Sequence, residues 1–154
     1  MSGNAMTREA AEASPGRALA ERLFATRHRS EALCAGLSDA DQSVQSMEDA
    51  SPAKWHLAHT TWFFEAFLLR DRLPGYAPFD PRFFYLFNSY YEHEGERHPR
   101  PRRGMLTRPP AGEILAYRAH VDAGLEALMD RAGGGDDGRI AELVELGINH
   151  EQQH

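Results

Sequence analysis

Ser51-Pro52-Ala53-Lys54-Trp55-His56-Leu57-Ala58-His59-Thr60-Thr61-Trp62-Phe63-Phe64-Glu65-Ala66-Phe67-Leu68-Leu69 reads as a single helix, and that reading decides the fold. Serine followed by proline is a helix start: the hydroxyl can accept from an open N–H of the first turn, and proline's fixed φ suits the first helical position. Beyond it Trp55, Ala58, His59, Trp62, Ala66 and Leu69 recur at spacings of three and four, with Phe63, Phe64 and Phe67 beside them. So much apolar surface on one helix demands a packed interior around it, and the pattern carries His59 inward on the apolar face.

The flanking sequence supplies partners of the same kind. Ser14-Pro15 repeats the start signal and predicts a helix to about Leu37, with Leu19, Leu23 and Phe24 among its apolar residues. Ser38 to Asp49 is polar and acidic, a connection. Ala111 to about Ala132 places Ile114, Tyr117, Val121, Leu125 and Leu128 on one face, and Gly133-Gly134-Gly135 ends it. Asp136 or Asp137 caps a last helix, in which Ile140, Leu143, Gly147, His150 and His154 recur at spacings of three and four. Gly147 leaves room there for a neighbour's bulky side chain or for a ligand.

Between the second and third of these long helices, Asp71 to Pro110 holds seven of the nine prolines and the run Phe83-Phe84-Tyr85-Leu86-Phe87-Asn88-Ser89-Tyr90-Tyr91. A short helix is expected around Pro81 to Glu92, the rest being irregular. A connection of this length inside a compact domain points to function, as does its aromatic and arginine content. No strand-like alternation occurs anywhere. The expected architecture is all-α, a four-helix bundle with one long crossover loop, forming a single domain over residues 15–154 behind a disordered lead-in at 1–14.

A net charge of -6 argues against nucleic acid as a partner, and no apolar run approaches the length needed to span a membrane. The single cysteine, Cys34, excludes an internal disulfide and a Cys-rich zinc site and fits a reducing compartment, so a cytoplasmic protein is expected. Charge is nevertheless uneven: Arg97, His98, Arg100, Arg102, Arg103 and Arg108 crowd one stretch. Prolines there reduce the entropy lost when guanidinium groups are held for the carboxylates of a small molecule.

The histidines carry the chemistry. His150 and His154 stack on one helix face at i and i+4, the usual way a helix offers two ligands to one metal, and His59 on a second helix can complete a set of three. Three neutral imidazoles occupy one face of an octahedron and leave positions open for dioxygen and a substrate. His56, three residues before His59, turns to a different face, as a ligand or as a hydrogen-bonding neighbour of one. His28, His93, His98 and His120 read as solvated or structural. A zinc-protease role for Glu151 is not adopted.

With these residues in view, the stretch from Ser51 to Glu65, Asn88-Ser89-Tyr90-Tyr91, Arg100-Pro101-Arg102-Arg103-Gly104 and Asn149-His150-Glu151-Gln152-Gln153-His154 resemble the N-terminal DinB-like domain of EgtB-type sulfoxide synthases of ergothioneine biosynthesis. The resemblance implies a DinB-like helical bundle holding non-haem Fe(II) on His59, His150 and His154. It implies an oxidoreductase that uses O2 to join a cysteine-derived thiol to trimethylhistidine. Arg100 and Arg103 are then the residues that bind the carboxylates of the thiol donor, while no catalytic acid or base is assigned. It further implies a C-terminal domain of the formylglycine-generating-enzyme type, without which the present residues are expected to be inactive. Two alternatives stand beside it: a related selenoneine or ovothiol synthase, and a stand-alone DinB-like module that binds a metal or a thiol.

Overall fold

The computed structural model describes residues 14–89, 95–131 and 137–154. Four long helices form the molecule: α1 (Pro15–Cys34), α3 (Ala53–Phe64), α6 (Ala111–Arg131) and α7 (Asp137–Gln153). Helix α3 runs on through a π-helical turn, Glu65–Leu69, into the short α4, Arg70–Arg72. Two minor helices, α2 (Asp39–Ser43) and α5 (Phe83–Leu86), and a 3-10 helix at Arg100–Met105 lie in the connections. Packing of α1 on α7 and α6, and of α3 on α6 and α7, closes the four-helix bundle, with the long crossover joining α3 to α6. Among the described residues there is no strand, only one isolated bridge between Met47 and Ala50.

The interior follows from the pattern in α3. Every side chain from Leu57 to Ala66 is buried, and around them pack Leu23 of α1, Ile114, Tyr117, Val121, Leu125 and Leu128 of α6, and Val144 and Ile148 of α7. Each fully buried aliphatic or aromatic side chain contributes about 1.5–3 kcal/mol. Gly147 makes room for a neighbour, not a ligand: a Cβ there would lie 2.2 Å from the Phe64 ring.

Four expectations about boundaries change. Helix α3 begins at Ala53 with Pro52 as its N-cap and no side-chain cap, the Ser51 hydroxyl accepting from Arg103 instead. Helix α1 stops at Cys34, three residues early, where Ala35 and Gly36 turn the chain. The polar connection contains α2, opened by a capping box in which Ser38 Oγ accepts from Asp41 N–H and the Asp41 carboxylate accepts from Ser38 N–H. The aromatic run yields a helix only over Phe83–Leu86. Of the remaining expectations, the lead-in up to Ala13, Tyr90 and Tyr91, Gly133-Gly134-Gly135 and Asp136 lie outside the described residues.

At the π turn Glu65, fully buried, accepts from Tyr76 Oη and Tyr117 Oη at 2.6 Å each and from Phe79 N–H at 3.1 Å. Burial, reinforced by this carboxylate, pushes the Tyr117 hydroxyl far above its ordinary pKa. The crossover is thereby fastened to α3 six residues beyond His59. Its far end is fastened by Gln45, whose side chain accepts from Gly104 N–H (2.7 Å) and donates to the Arg100 carbonyl (2.9 Å), and by Lys54, which donates to the Leu106 carbonyl (2.9 Å).

Candidate metal centre

His59, His150 and His154 meet at one end of the bundle, each offering a ring nitrogen, and these atoms all lie within 4.8 Å of one another. His59 is 1% exposed and lies nearly parallel to Trp55, one turn before it (4.5 Å, 14°), and to Trp62, one turn after it (5.5 Å, 12°). Its Nδ1–H donates to the Phe87 carbonyl at 2.6 Å, which fixes the tautomer and leaves the lone pair on Nε2. That Nε2 faces His150 Nε2 at 3.2 Å, while the His150 ring stacks on Phe63. His150 Nδ1 is buried with no hydrogen-bond partner among the described residues.

Burial holds all three imidazoles in the neutral form that a metal needs: His59 is pushed down to about 2, His150 to about 4, and His154 is lowered, its depression reinforced by Arg103. Two neutral nitrogens 3.2 Å apart, one with its tautomer already set by a backbone carbonyl, fit a metal. The all-imidazole donor set suits zinc, copper, iron or nickel and leaves coordination positions for other ligands.

What aims α7 at this point is a buried ionic network that spacing alone did not reveal. Glu151, 4% exposed, receives Arg27 Nη1–H at 2.9 Å on one oxygen and Arg118 Nη2–H at 2.8 Å on the other. Both arginines are completely buried. Arg27 also donates to Asp122 and to Thr61 Oγ1, and Arg118 to Glu31, Thr60, Thr61 and the carbonyls of Leu57 and Arg27. Burial would raise the Glu151 carboxyl, but the two guanidinium groups outweigh it and hold it below the usual range. One network therefore ties together all four long helices at the turn of α7 that carries His150 and His154.

The same network decides the role of Glu151. The register His150-Glu151-Gln152-Gln153-His154 spells the zinc-protease motif His-Glu-x-x-His, so spacing alone allows that role. Position does: a general base must reach a metal-bound water, and both oxygens of Glu151 are held by Arg27 and Arg118. A signal for the two arginines was present, since each stands four residues after a core position, Arg27 after Leu23 and Arg118 after Ile114.

Beside the triad lies the arginine stretch. Arg103, 3% exposed, lays its guanidinium 3.5 Å from the centre of the Trp55 ring and donates to Ser51 Oγ (2.9 Å) and Ser89 Oγ (3.4 Å). No carboxylate is among these contacts, and burial, with Arg100 and Arg97 nearby, lowers it to about 10. Arg97, Arg100, Arg103 and Ser89 line a cleft of about 280 Å³. A second, largely apolar cavity of about 440 Å³ opens between α1, α3 and α7, with His154, His56, Leu57, Leu33 and Cys34 in its wall. His98 and His120 stand apart from the triad, facing the carbonyls of Arg102 and Ala77, and His93 lies outside the described residues.

An all-helical bundle that gathers three imidazoles from two helices defines a class, the helical domains with a histidine cluster able to hold a metal ion. The sequence places the chain within that class more closely. It belongs to the DinB superfamily, whose pattern it matches over residues 22–154. No curated protein matches the chain.

Proposed function

We propose that this chain is the iron-binding domain of an EgtB-like sulfoxide synthase, which uses O2 to join a cysteine-derived thiol to trimethylhistidine in ergothioneine biosynthesis. The observation that supports the reading best is the contact of Trp55 with both a triad imidazole, His59, and a buried guanidinium, Arg103. A metal position and an anion position are thus neighbours, as a substrate bearing both a thiol and a carboxylate requires. The motifs shared with EgtB-type domains supply the particular reaction.

In this reading His59, His150 and His154 hold Fe(II), and bound iron supplies the one-electron chemistry through which dioxygen is used to form the C–S bond. The protein's own part is positioning. Arg100 and Arg103 receive the carboxylates of the thiol donor, with Arg103 prepositioned by Ser51, Ser89 and Trp55, so little ordering remains to be done when substrate arrives. Neutral imidazoles leave the positive charge of the metal uncompensated.

A second reading, a DinB-like module that binds a metal or a thiol without forming a C–S bond, is favoured by the 440 Å³ cavity, which reaches His154 within this chain. Anaerobic titration with Co(II) tests both. One equivalent should give a ligand-field spectrum that His59→Ala abolishes; a spectrum surviving that substitution removes His59 from the site. A cysteine-derived dicarboxylate thiol should then add a sulfur-to-cobalt charge-transfer band whose affinity drops on Arg103→Met. A band indifferent to Arg100 and Arg103 favours the module.

A further inference from the structure

His56 is close to the triad without belonging to it. Its Nδ1 lies 3.0 Å from His154 Nδ1, and the two rings are 5.2 Å apart and tilted by 52°. Two imidazole nitrogens at that distance share one proton, one ring donating and the other accepting. With Nδ1 of His154 so engaged, Nε2 is the atom it has left to offer a metal. A neutral imidazole has only one N–H, so an Nε2 lone pair requires the proton on Nδ1, and that proton requires an acceptor.

We propose that His56 is that acceptor, a positioning residue whose Nδ1 lone pair holds His154 in the ring tautomer and orientation that turn its Nε2 into the triad. The inference rests on the metal-centre reading. It gives His154 the counterpart of what the Phe87 carbonyl gives His59: a partner for the nitrogen that does not face the metal. His59 is held by backbone, whereas His154 stands at the exposed last turn of α7 with no backbone carbonyl at its ring among the described contacts. A side chain from α3 must therefore do this work, and His56 occupies the place, one turn before His59 on the side facing the end of α7. With the proton placed the other way, His56 Nδ1–H would donate to His154 and put the hydrogen of His154 on Nε2, blocking it as a ligand. Metal loading and the position of a single proton in this pair are thereby linked.

The test compares wild type, His56→Leu and His56→Gln, the last restoring an oxygen acceptor. Folding is checked by circular dichroism, and Co(II) affinity and ligand-field spectrum are recorded anaerobically. His56→Leu should bind Co(II) roughly 10- to 100-fold more weakly with band positions little changed, and His56→Gln should recover most of the loss. In the zinc-loaded wild type, long-range nitrogen–proton NMR correlations should place the hydrogen of His154 on Nδ1 and that of His56 on Nε2. Unchanged affinity in a folded His56→Leu protein overturns the proposal, as does a zinc-loaded spectrum with the hydrogen of His56 on Nδ1. A changed ligand field that glutamine fails to restore also overturns it, because His56 is then itself a ligand. Wild type that binds no Co(II) overturns the metal-centre reading, and this inference with it.

Discussion

Glu151 shows how one carboxylate can look catalytic and act as an anchor. It sits between two metal-candidate histidines on α7, yet its oxygens point into the bundle toward Arg27 and Arg118. Removing one partner of a buried ion pair costs more than the pair contributes, because the remaining charges keep their desolvation penalty. Glu151→Gln leaves two buried guanidinium groups short of a negative charge. It is expected to destabilise the domain by about 3–5 kcal/mol, seen as a large drop in the urea midpoint, and to weaken Co(II) binding by releasing the last turn of α7. A variant of wild-type stability would mean that Asp122 and Glu31 suffice to compensate both arginines. The triad itself was legible in the sequence, since His59, His150 and His154 fall on apolar stripes where a lone imidazole is out of place. Of the network, spacing could place Arg27 and Arg118 on core faces but could not pair them with Glu151, because the charges come from different helices.

The helices agree with their patterns wherever one apolar face dominates, and depart where polar local chemistry decides. α3 was readable from Trp55 to Phe64, whereas α2 rests on a Ser38–Asp41 capping box inside a stretch with no apolar stripe. The π turn at Glu65 has no signature in spacing, since its carboxylate answers to Tyr76 and Tyr117 from elsewhere in the chain. Helix α7 offers a clean comparison. At Gly147 a Cβ would meet Phe64 ring atoms at 2.2 and 2.5 Å, and Phe64 is fully buried with nowhere to move, while at Gly138 it would meet nothing within 4 Å. Gly147→Ala should cost about 1–3 kcal/mol through overpacking, in spite of alanine's better helix propensity, and Gly138→Ala should be neutral or mildly stabilising. Thermal unfolding of the two variants checks this, and a Gly147→Ala protein as stable as wild type would show that α7 and α3 can separate without loss.

For the molecule as a whole, the gathered imidazoles make stability depend on acidity. A free histidine titrates near 6.5, but burial holds His59 at about 2 and His56 and His150 at about 4. Between those values the unfolded chain takes up protons that the folded one refuses, so folding is weakened as pH falls below 6.5 and unaffected by these groups above it. The buried His59 alone corresponds to about 1.4 kcal/mol per pH unit in that window. Urea unfolding of metal-free protein at pH 7.5, 6 and 5 should show a steady fall in midpoint, and a flat profile would mean that the cluster opens to water when protonated. Protons and metal compete for the same lone pairs, and the folded site takes up protons only near its depressed values, so loaded protein should keep its ion through the weakening of the metal-free fold and release it only as pH falls to about 4.

The stacking around His59 has an optical consequence. Trp55 and Trp62 are the two tryptophans of the sequence, and both lie against one imidazole of the triad. All the indole fluorescence of the chain therefore originates beside the candidate metal position. An ion with a partly filled d shell would quench it and closed-shell zinc would not, so the native protein, without a label, reports by its own emission both whether its centre is filled and with what kind of ion.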